Sequence, residues 1–474
     1  MSAFDERLAH WAARRPDHLA VVDDHARLTY AALDDRVDAI AAALQRAGVG
    51  PGDVVSSQLP NCVAAHALCL AVTRIGAVHN PIVTIYRHHE VDFIHGQARS
   101  AVIIDDPDHA LLHPRPGRPA PISAKRDATR YLLYTSGSTA APKGVRHSDR
   151  TLVAECTAQA QFHALGDEEI FVMPSPVAHV SGLLYGILLP VWLGATSVLM
   201  PRWEPGRFLA LVEAERGTFC GGATPFLAGA VDHPALASYD VSSLRLFPCG
   251  GADVPPDLIR RAIGRLGVRS GRGYGSTEFP SITSSAGLDE TDDKRAETDG
   301  RPIGANEVRI VDGEIHARGP ERFLGYQDPA LDAAAFTDDG WFRTGDLGTL
   351  DAGGYLTVTG RLKDVIVRSG EKFSARELEE LLARHPDIEQ VAVVALADPH
   401  TGELACACVV PRDHTRPPTL DALGEFLLEL GLSRRKLPER LAVLTALPNT
   451  PAGKVDKLAL RATIATHDND RNER

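Results

Sequence analysis

The 474-residue sequence has no pair of cysteines at the C-x-x-C spacing that is typical of metal sites and redox motifs. Its seven cysteines are scattered, and only Cys406 and Cys408 lie close together, two positions apart in an apolar run. On a strand these two side chains share one face, so we predict a buried core pair there. The odd number and wide spacing favour a reducing compartment over a disulfide framework.

Long hydrophobic runs and an excess of positive charge are also absent. The longest apolar run, residues 180–192, contains glycines and is shorter than the ~20 residues of a membrane span. The N-terminal residues are charged and lack the apolar stretch of a signal peptide. The 50 basic and 62 acidic residues give a net charge of −12, which argues against a nucleic-acid binder that depends on overall basicity. We therefore expect a cytoplasmic protein with no membrane or nucleic-acid partner.

Hydrophobic periodicity divides the chain into regions of different type. Residues 1–128 alternate helical and strand patterns, which predicts a largely parallel sheet. From residue 308 paired strands flank Asp312-Gly313, a signal for a type I′ hairpin turn. A smaller α+β pattern begins at residue 361. We predict an α/β fold with a large N-terminal domain of layered sheets (residues 1–360), which includes a β-hairpin-rich subdomain, and a small α+β C-terminal domain (residues 361–474).

Two helix predictions are specific enough to check. Ser148 or Asp149 is expected to cap a helix that runs to about residue 164. The apolar residues 180–193 are expected to form one helix.

The most informative stretch is YLLYTSGSTAAPKG, residues 131–144. An apolar run predicts a buried strand, which ends in four hydroxyl residues around one glycine and is followed by Lys143. Backbone N–H groups, hydroxyls and a lysine are the usual donors to phosphate oxygens. The stretch is not a Walker A loop, because glycine rather than Ser or Thr follows the lysine. Taken alone, it is as compatible with a surface turn as with a phosphate-binding loop.

Two other apolar strands end in small or polar residues, CGGA (residues 249–252) and GYGSTE (residues 273–278). Because ligands bind at the carboxyl ends of strands in open α/β sheets, we expect these ends and the Thr135 loop to form one rim. Tyr274 is suited to stack on a base, and Glu278 to hold Mg²⁺ together with phosphates. Asp346, in WFRTGDLG, is suited to accept hydrogen bonds from ribose hydroxyls.

Five motifs in order, YTSGSTAAPKGV, GYGSTE, WFRTGDLG, GRLKD and NTPAGK, resemble those of the adenylate-forming superfamily. That superfamily includes acyl-CoA synthetases, peptide-synthetase adenylation domains and luciferase, and the resemblance covers essentially the whole chain. Residues 80–94, 179–186 and 221–227 are most similar to ligases of the cyclohexanecarboxylate or medium-chain type. The resemblance implies ATP-dependent adenylation of a small-to-medium carboxylic acid, which releases pyrophosphate, and then transfer of the acyl group to coenzyme A.

The resemblance also implies roles for individual residues. The catalytic positions are Lys454, Thr277, Glu278 and His179, and Glu278 would hold the Mg²⁺ ion. Nucleotide contacts would come from Thr135, Ser136, Gly137, Ser138, Thr139, Lys143, Gly250, Gly251, Ala252, Gly273, Tyr274, Gly275, Ser276, Asp346 and Arg361. The acid pocket would be lined by Val180, Ser181, Gly222, Ala223, Thr224, Cys249, Phe279 and Pro280. The C-terminal domain would be mobile about a hinge at Lys363, and the tunnel for the acceptor thiol would contain Ser369, Gly370 and Glu371.

Two residues depart from the family pattern, and three alternatives stay open. Ala140 stands where the family usually has glycine in the phosphate loop, and Ala375 stands where a proline is common. The first alternative is a different acceptor, since a carrier protein supplied in trans would serve as well as coenzyme A. The second is a different acid, a nitrite-type oxyacid used for diazotisation, and the third is a catalytically weakened nucleotide-binding relative. His179 is equally consistent with a gate to the pocket and with a core histidine, and the sequence predicts no oligomeric state.

Overall fold

The computed structural model describes residues 2–122, 127–135, 142–368, 371–398, 401–449 and 455–472. The chain forms two compact units. The larger contains Met1–Val308, Ala317–Phe342 and Ala352–Leu356, and the smaller contains Arg309–His316, Arg343–Asp351 and Thr357–Arg474. The domain boundary between residues 360 and 361 stays a prediction. Within the described ranges, no helix is long and apolar enough to cross a membrane.

The helices of the described residues follow the polar and apolar periodicity of the sequence. Ser148 caps α5 by accepting a hydrogen bond from the backbone N–H of Thr151 at 3.3 Å, which confirms the predicted start of that helix. The α-helices are α1 (Ala3–Arg14), α2 (Tyr30–Arg46), α3 (Val63–Arg74), α4 (His88–Ala98), α5 (Asp149–His163), α6 (Val180–Leu183), α7 (Leu189–Leu193), α8 (Pro205–Glu215), α9 (Thr224–Val231), α10 (Pro256–Leu266), α11 (Asp292–Glu297), α12 (Asp332–Ala335), α13 (Ala375–Leu382), α14 (Leu420–Glu429) and α15 (Lys457–Asn472).

The strands assemble into several sheets. They are β1 (Leu19–Val22), β2 (Arg27–Thr29), β3 (Val54–Ser57), β4 (Val78–Pro81), β5 (Ser100–Ile104), β6 (Thr129–Thr135), β7 (Lys143–Ser148), β8 (Ile170–Met173), β9 (Thr196–Leu199), β10 (Leu246–Gly250), β11 (Arg269–Tyr274), β12 (Thr283–Ser284), β13 (Arg301–Pro302), β14 (Glu307–Val311), β15 (Glu314–Arg318), β16 (Gly325–Tyr326), β17 (Phe342–Leu350), β18 (Leu356–Arg361), β19 (Val365–Arg368), β20 (Glu371–Ser374), β21 (Ile388–Asp398), β22 (Gly402–Pro411) and β23 (Arg440–Val443).

In the larger unit, the motif-bearing strands divide between two sheets. One sheet has the order β16-β7-β6-β4-β3-β5, and its β3, β4, β5 and β6 pair in parallel as the N-terminal pattern predicts. The strands β10 and β11 are parallel neighbours in a different sheet, of order β10-β11-β12-β13. The expected single rim is therefore wrong for β6, because that strand pairs with β4 and β7 rather than with β10 or β11. A third sheet of this unit has four strands, in the order β2-β1-β9-β8.

The apolar residues 180–193 do not form the single regular helix predicted from the sequence. Helix α6 leads into a π-helical turn at Leu184–Leu188, and α7 follows it. A π turn accommodates one extra residue and is found often near functional sites. The sequence does not reveal this turn, because residues 182–193 are almost all apolar and show no helical periodicity.

In the smaller unit, the predicted hairpin and cysteine pair are both present. Asp312 and Gly313 have φ of 50° and 85°, the two positive values that a type I′ turn requires. This turn joins β14 to β15 in the sheet β14-β15-β17-β18. Cys406 and Cys408 are buried on β22 and belong to one hydrophobic cluster, which confirms the predicted core pair. That strand lies in the sheet β20-β19-β22-β21, to which β23 adds on β22.

Candidate active site

The predicted phosphate-binding stretch begins and ends on an antiparallel pair of strands. Thr135, the last residue of β6, is paired with Lys143, the first residue of β7. Residues 136–141 between them lie outside the described residues, so Ser136, Gly137, Ser138, Thr139 and Ala140 stay predictions. The hairpin nevertheless places the lysine at the edge of the loop, directly opposite the first hydroxyl residue.

A tyrosine connects this lysine to the predicted metal-binding carboxylate. Tyr326 lies on β16, which pairs with β7, and the Lys143 ammonium lies 5.4 Å from the centre of its ring. The Tyr326 hydroxyl donates a hydrogen bond of 2.9 Å to Oε1 of Glu278. Burial and the negative charge of Glu278 raise the pKa of Tyr326, so the phenol stays protonated and acts as a donor. No sequence motif singles out Tyr326, which stands 48 residues from its partner.

The GYGSTE motif forms a tight loop after β11. The backbone N–H groups of Ser276 and Phe279 each bond to the other residue's carbonyl, at 2.9 and 3.2 Å. A Cβ atom on Gly275 would lie 2.0 Å from the Pro280 carbonyl oxygen, so only glycine fits there. The loop therefore presents Thr277 and Glu278 in one well-defined arrangement.

A buried histidine holds this loop against α5. Nε2 of His147 lies 2.8 Å from the carbonyl oxygen of Thr277, and Nδ1 lies 3.0 Å from the hydroxyl of Thr151. Burial lowers the pKa of His147 to about 4, so the ring is neutral at physiological pH. A neutral ring that donates from Nε2 satisfies the Thr277 carbonyl without adding charge. His147 is a positioning residue that the sequence analysis missed, although it lies only four residues after Lys143.

The glycines at the ends of β10 and β11 lie side by side. Gly250 is paired with Gly273 in the parallel register of the two strands. A Cβ atom on Gly250 would lie 2.2 Å from the Gly273 carbonyl oxygen, so the close approach requires glycine. Gly251 has φ of 76°, and Gly251 and Ala252 are exposed. Gly250, Gly251 and Ala252 have no bulky side chains, and with the half-buried ring of Tyr274 they suit a planar base.

Two segments of the predicted acid pocket, residues 222–224 and the end of β10, lie against each other. Gly222 bridges to Cys249 beside β10, and the Gly250 N–H donates to the Gly222 carbonyl at 3.0 Å. Thr224 begins α9 and donates from its hydroxyl to the Asp253 carbonyl at 2.8 Å. Residues of this set that are partly exposed include Val180, Ser181, Gly222, Ala223, Thr224 and Pro280, together with His179 at the N-cap of α6.

Two members of the predicted pocket do not line an open surface. Cys249 has no exposed surface, packs in a core cluster, and has its pKa raised to about 12 by burial. Phe279 is equally buried and packs with Phe323 and Tyr326. Both side chains therefore pack beneath the residues that line the predicted pocket. The reason is local: Cys249 points from β10 toward the helices, and Phe279 occupies the closed side of the GYGSTE loop.

In the smaller unit, the two predicted ribose-binding residues form an ion pair. Nε of Arg361 lies 3.2 Å from Oδ1 of Asp346, on the neighbouring strands β18 and β17. The backbone N–H of Gly345, which has φ of 72°, donates to Oε1 of Glu314 at 3.1 Å and so anchors the turn before Asp346. Lys363 lies in a 3₁₀ turn at Leu362–Asp364 that follows directly.

The remaining predicted residues fall at or beyond the limits of the described chain. Glu371 is the first residue of β20, whereas Ser369 and Gly370 lie outside the described residues. Lys454 is also outside them, but the chain on either side of it is tied together. Asn449 forms a β-bridge with Val455, and the Asp456 N–H donates to the Pro448 carbonyl at 2.7 Å.

No group of three or more His, Cys, Asp or Glu side chains within the described ranges has the arrangement of a protein-only metal site. Glu278 stands as a partly exposed carboxylate whose orientation is set by Tyr326. This fits Mg²⁺, which usually takes one or two carboxylates and completes its shell with phosphates and water.

Comparison with known proteins extends over both units. The AMP-binding enzyme family model matches residues 8–327, and the model of the AMP-binding enzyme C-terminal domain matches residues 377–454. The chain is 32% identical to the medium-chain fatty-acid–CoA ligase of Escherichia coli (strain K12), over 96% of this chain and 89% of that protein. It is 33% identical to a feruloyl-CoA synthase of an Amycolatopsis species, over 96% of this chain and 99% of that protein. The crystal structure of ATP-bound MatB from Rhodopseudomonas palustris superposes with a TM-score of 0.89 at 25% identity, and covers 98% of this chain and 99% of that one.

Proposed function

Because the chain belongs to the AMP-binding enzyme family, we propose that it activates a carboxylic acid by adenylation and passes the acyl group to coenzyme A. The observation that carries the proposal is the connected set of Lys143, Tyr326 and Glu278. This set supports the proposal because a lysine and a carboxylate that contact the same tyrosine would act on the phosphates of one nucleotide. Such an arrangement suits a nucleoside triphosphate better than it suits a carboxylic acid alone.

In the first step, a carboxylate oxygen of the acid attacks the α-phosphorus of ATP and forms a P–O bond. The bond from the α-phosphorus to the bridging oxygen breaks, and pyrophosphate leaves with the electron pair. We assign Lys143 and the hydroxyls of residues 135–139 to the β- and γ-phosphates, and Thr277 to the α-phosphate. Mg²⁺ bound at Glu278 would neutralise charge on the phosphates. The chain contributes positioning and electrostatic stabilisation rather than a covalent intermediate.

The nucleoside portion of ATP needs a flat surface and acceptors for its hydroxyls. We assign Gly250, Gly251 and Tyr274 to the adenine, and Asp346 with Arg361 to the ribose. Arg361 orients the Asp346 carboxylate through their ion pair, and carboxylate oxygens are suited to accept hydrogen bonds from ribose hydroxyls. Each assignment follows from the family motif at that position and from the local geometry described above.

In the second step, the thiol of coenzyme A attacks the acyl carbonyl carbon and AMP leaves, so a thioester replaces the mixed anhydride. We assign Lys454 to the charge that develops at the α-phosphate in the first step. Rotation of the C-terminal domain about Lys363 would then exchange Lys454 for residues 369–371, which would line the path of the thiol. Hinge motions of this kind use a few residues that change backbone angles.

The acid should be small to medium in size and mostly apolar. The partly exposed pocket residues are small and uncharged, apart from His179 at the N-cap of α6. None of them is an acidic residue that would pair with the α-amino group of an amino acid. A cyclic, aromatic or medium-chain acid therefore fits this set.

The direct test is a panel of such acids with ATP and Mg²⁺, with and without coenzyme A, followed by mass spectrometry of the products. We expect acyl-AMP without the thiol and the acyl-CoA thioester with it. A thioester from none of the acids, alongside clear acyl-AMP formation, would exclude coenzyme A and point to a carrier protein or another acceptor. Absence of acyl-AMP from every acid would overturn the proposal, and a nitrite arm would then test oxyacid activation.

A further inference from the structure

Two buried glutamates lie together behind the loop that carries Thr277 and Glu278. Glu155 is on α5 and Glu321 follows β15, and neither has any exposed surface. Ser281 and Asn306 connect the two carboxyls through hydrogen bonds, and burial and then Glu155 raise the pKa of Glu321. Two ionised carboxylates cannot bond to each other, because both groups would then be acceptors only.

The hydrogen bonds around the pair leave room for a single proton. Oε1 of Glu155 accepts from the Ser281 hydroxyl at 2.6 Å and from Nε2 of Gln159 at 3.0 Å. Oε2 of Glu321 accepts from Nδ2 of Asn306 at 2.9 Å. Among the described residues, no N–H or O–H group donates to the other two oxygens, Oε2 of Glu155 and Oε1 of Glu321. One proton held between those two oxygens satisfies both of them.

The groups that face the pair are neutral. Cys156 on α5 and Tyr185 on the π-helical turn are the titratable neighbours, and burial raises the pKa of each. The other contacts come from the uncharged Ser281, Gln159 and Asn306. No described arginine or lysine contributes to the pKa of Glu321, which burial and then Glu155 raise. The site therefore holds at most one negative charge, and the second carboxyl must keep its proton.

Hydrogen bonds connect the glutamate pair to the loop that carries Thr277 and Glu278 along two routes. From one side, the Ser281 hydroxyl binds Glu155. From the other side, Asn306 donates to the Ser281 carbonyl at 2.9 Å as well as to Glu321. Two residues beyond Glu321, the Phe323 N–H donates to the Glu278 carbonyl at 2.8 Å. The carboxyl pair thus connects α5 with the turn between β15 and β16, which is hydrogen-bonded to the loop.

We propose that Glu155 and Glu321 share one proton and act as positioning residues, which hold the Thr277–Glu278 segment in register with the nucleotide. The inference rests on the proposed function, because the segment matters only if Thr277 and Glu278 serve the nucleotide and its metal ion. Neither glutamate contacts ATP or the acid in this account. Their effect passes through Ser281, Asn306 and the backbone.

The first test compares Glu321→Gln with Glu321→Ala in the full-length protein. Glutamine is permanently neutral, donates from Nε2 to Glu155 and still accepts from Asn306, so it reproduces the shared proton. Alanine leaves Glu155 without this partner. We expect Glu321→Gln to keep the wild-type Mg²⁺ dependence of pyrophosphate release. We expect Glu321→Ala to raise the Mg²⁺ concentration for half-maximal rate and to lower kcat. The two effects combined should decrease the rate at low Mg²⁺ by about 10- to 100-fold. Glu389→Gln, an exposed position, is the matched control.

The second test needs no activity and follows unfolding by urea as a function of pH. The pKa of Glu321 is raised in the folded state above its ordinary value of 4.5, so the native protein retains a proton that the unfolded chain releases. Stability from this group is complete below pH 4.5 and is lost as the pH rises toward the folded-state pKa. Each pH unit in that window should raise the unfolding equilibrium constant of the wild type about tenfold relative to Glu321→Gln.

The outcomes separate this inference from the proposed function. Equal pH dependence of unfolding in the wild type and Glu321→Gln would show that no proton is shared. Normal Mg²⁺ dependence in Glu321→Ala, with acyl-AMP still formed, would refute positioning while the function stands. Absence of acyl-AMP in the wild type would refute the function, and the unfolding experiment would still decide the shared proton.

Discussion

Replacing Tyr326 by phenylalanine removes one hydroxyl and keeps the aromatic ring beside Lys143. The lost hydrogen bond, 2.9 Å from the Tyr326 hydroxyl to Oε1 of Glu278, has a charged acceptor. Hydrogen bonds to charged groups contribute about 1.5–3 kcal/mol. If Glu278 needs that bond to hold its orientation toward the metal ion, the loss corresponds to about a 10- to 100-fold decrease in kcat/KM for ATP.

The assay is pyrophosphate release at varied ATP and Mg²⁺, with a saturating acid substrate. Tyr355→Phe is the matched control, because the Tyr355 hydroxyl also donates to a carboxylate, that of Glu290, and cations also lie over its ring. Tyr355 and Glu290 lie outside the GYGSTE loop and outside the hydrogen bonds described above for that loop. Loss of their hydrogen bond should therefore leave kcat/KM for ATP unchanged. Equal kinetics for Tyr326→Phe and the wild type would refute the reasoning, and so would an equal defect in Tyr355→Phe.

Three further substitutions test other parts of the account. Lys454→Ala should nearly abolish acyl-AMP formation and leave ATP binding by calorimetry intact, and unchanged adenylation would show that its assigned role is wrong. Gly250→Ala places a methyl group 2.2 Å from the Gly273 carbonyl oxygen. It should therefore weaken AMP binding at least about tenfold and cost about 1–3 kcal/mol of stability by urea unfolding, as overpacking does; normal AMP affinity would contradict it. Arg74→Met should lower the free energy of unfolding by about 3–5 kcal/mol, because it leaves the buried Asp5 carboxylate without its partner. A loss below about 1 kcal/mol, the value of an exposed pair, would refute that estimate.

The family and the α/β fold class could be predicted from the sequence, and both are confirmed. Short-range signals were reliable because they depend on neighbouring residues. The Asp312-Gly313 turn needs two positive φ angles, and Ser148 caps a helix with its own hydroxyl. The family was predicted from the order of the five motifs, since the residues of each motif have a chemical role.

The relation between distant segments could not be predicted. The Thr135 loop, the Gly250 end and the Gly273 end look alike in sequence, yet β6 belongs to a different sheet from β10 and β11. Strand pairing depends on tertiary packing, so the partners of a strand cannot be predicted from its local hydrophobicity. The structure joins the two sheets through contacts between residues far apart in the chain, including those of Tyr326 and His147.

The burial of two glutamates next to the site could not be predicted from the sequence either. Glu321 stands in an ordinary RGPERF stretch, and Glu155 in a helix that has other polar residues. A charged residue in such surroundings is usually exposed, whereas these two are fully buried. Only the packing of α5 against the segment after β15 brings them together.

Transfer of a labelled oxygen shows directly whether the carboxylate of the acid attacks the α-phosphorus of ATP. The acid found active in the panel is prepared with ¹⁸O in both carboxylate oxygens and is incubated with the enzyme, ATP, Mg²⁺ and coenzyme A. If the carboxylate attacks the α-phosphorus, the AMP released must carry one ¹⁸O, because the acyl–oxygen bond is the one that the thiol breaks. Unlabelled AMP, or ADP and phosphate in place of AMP and pyrophosphate, would contradict the account.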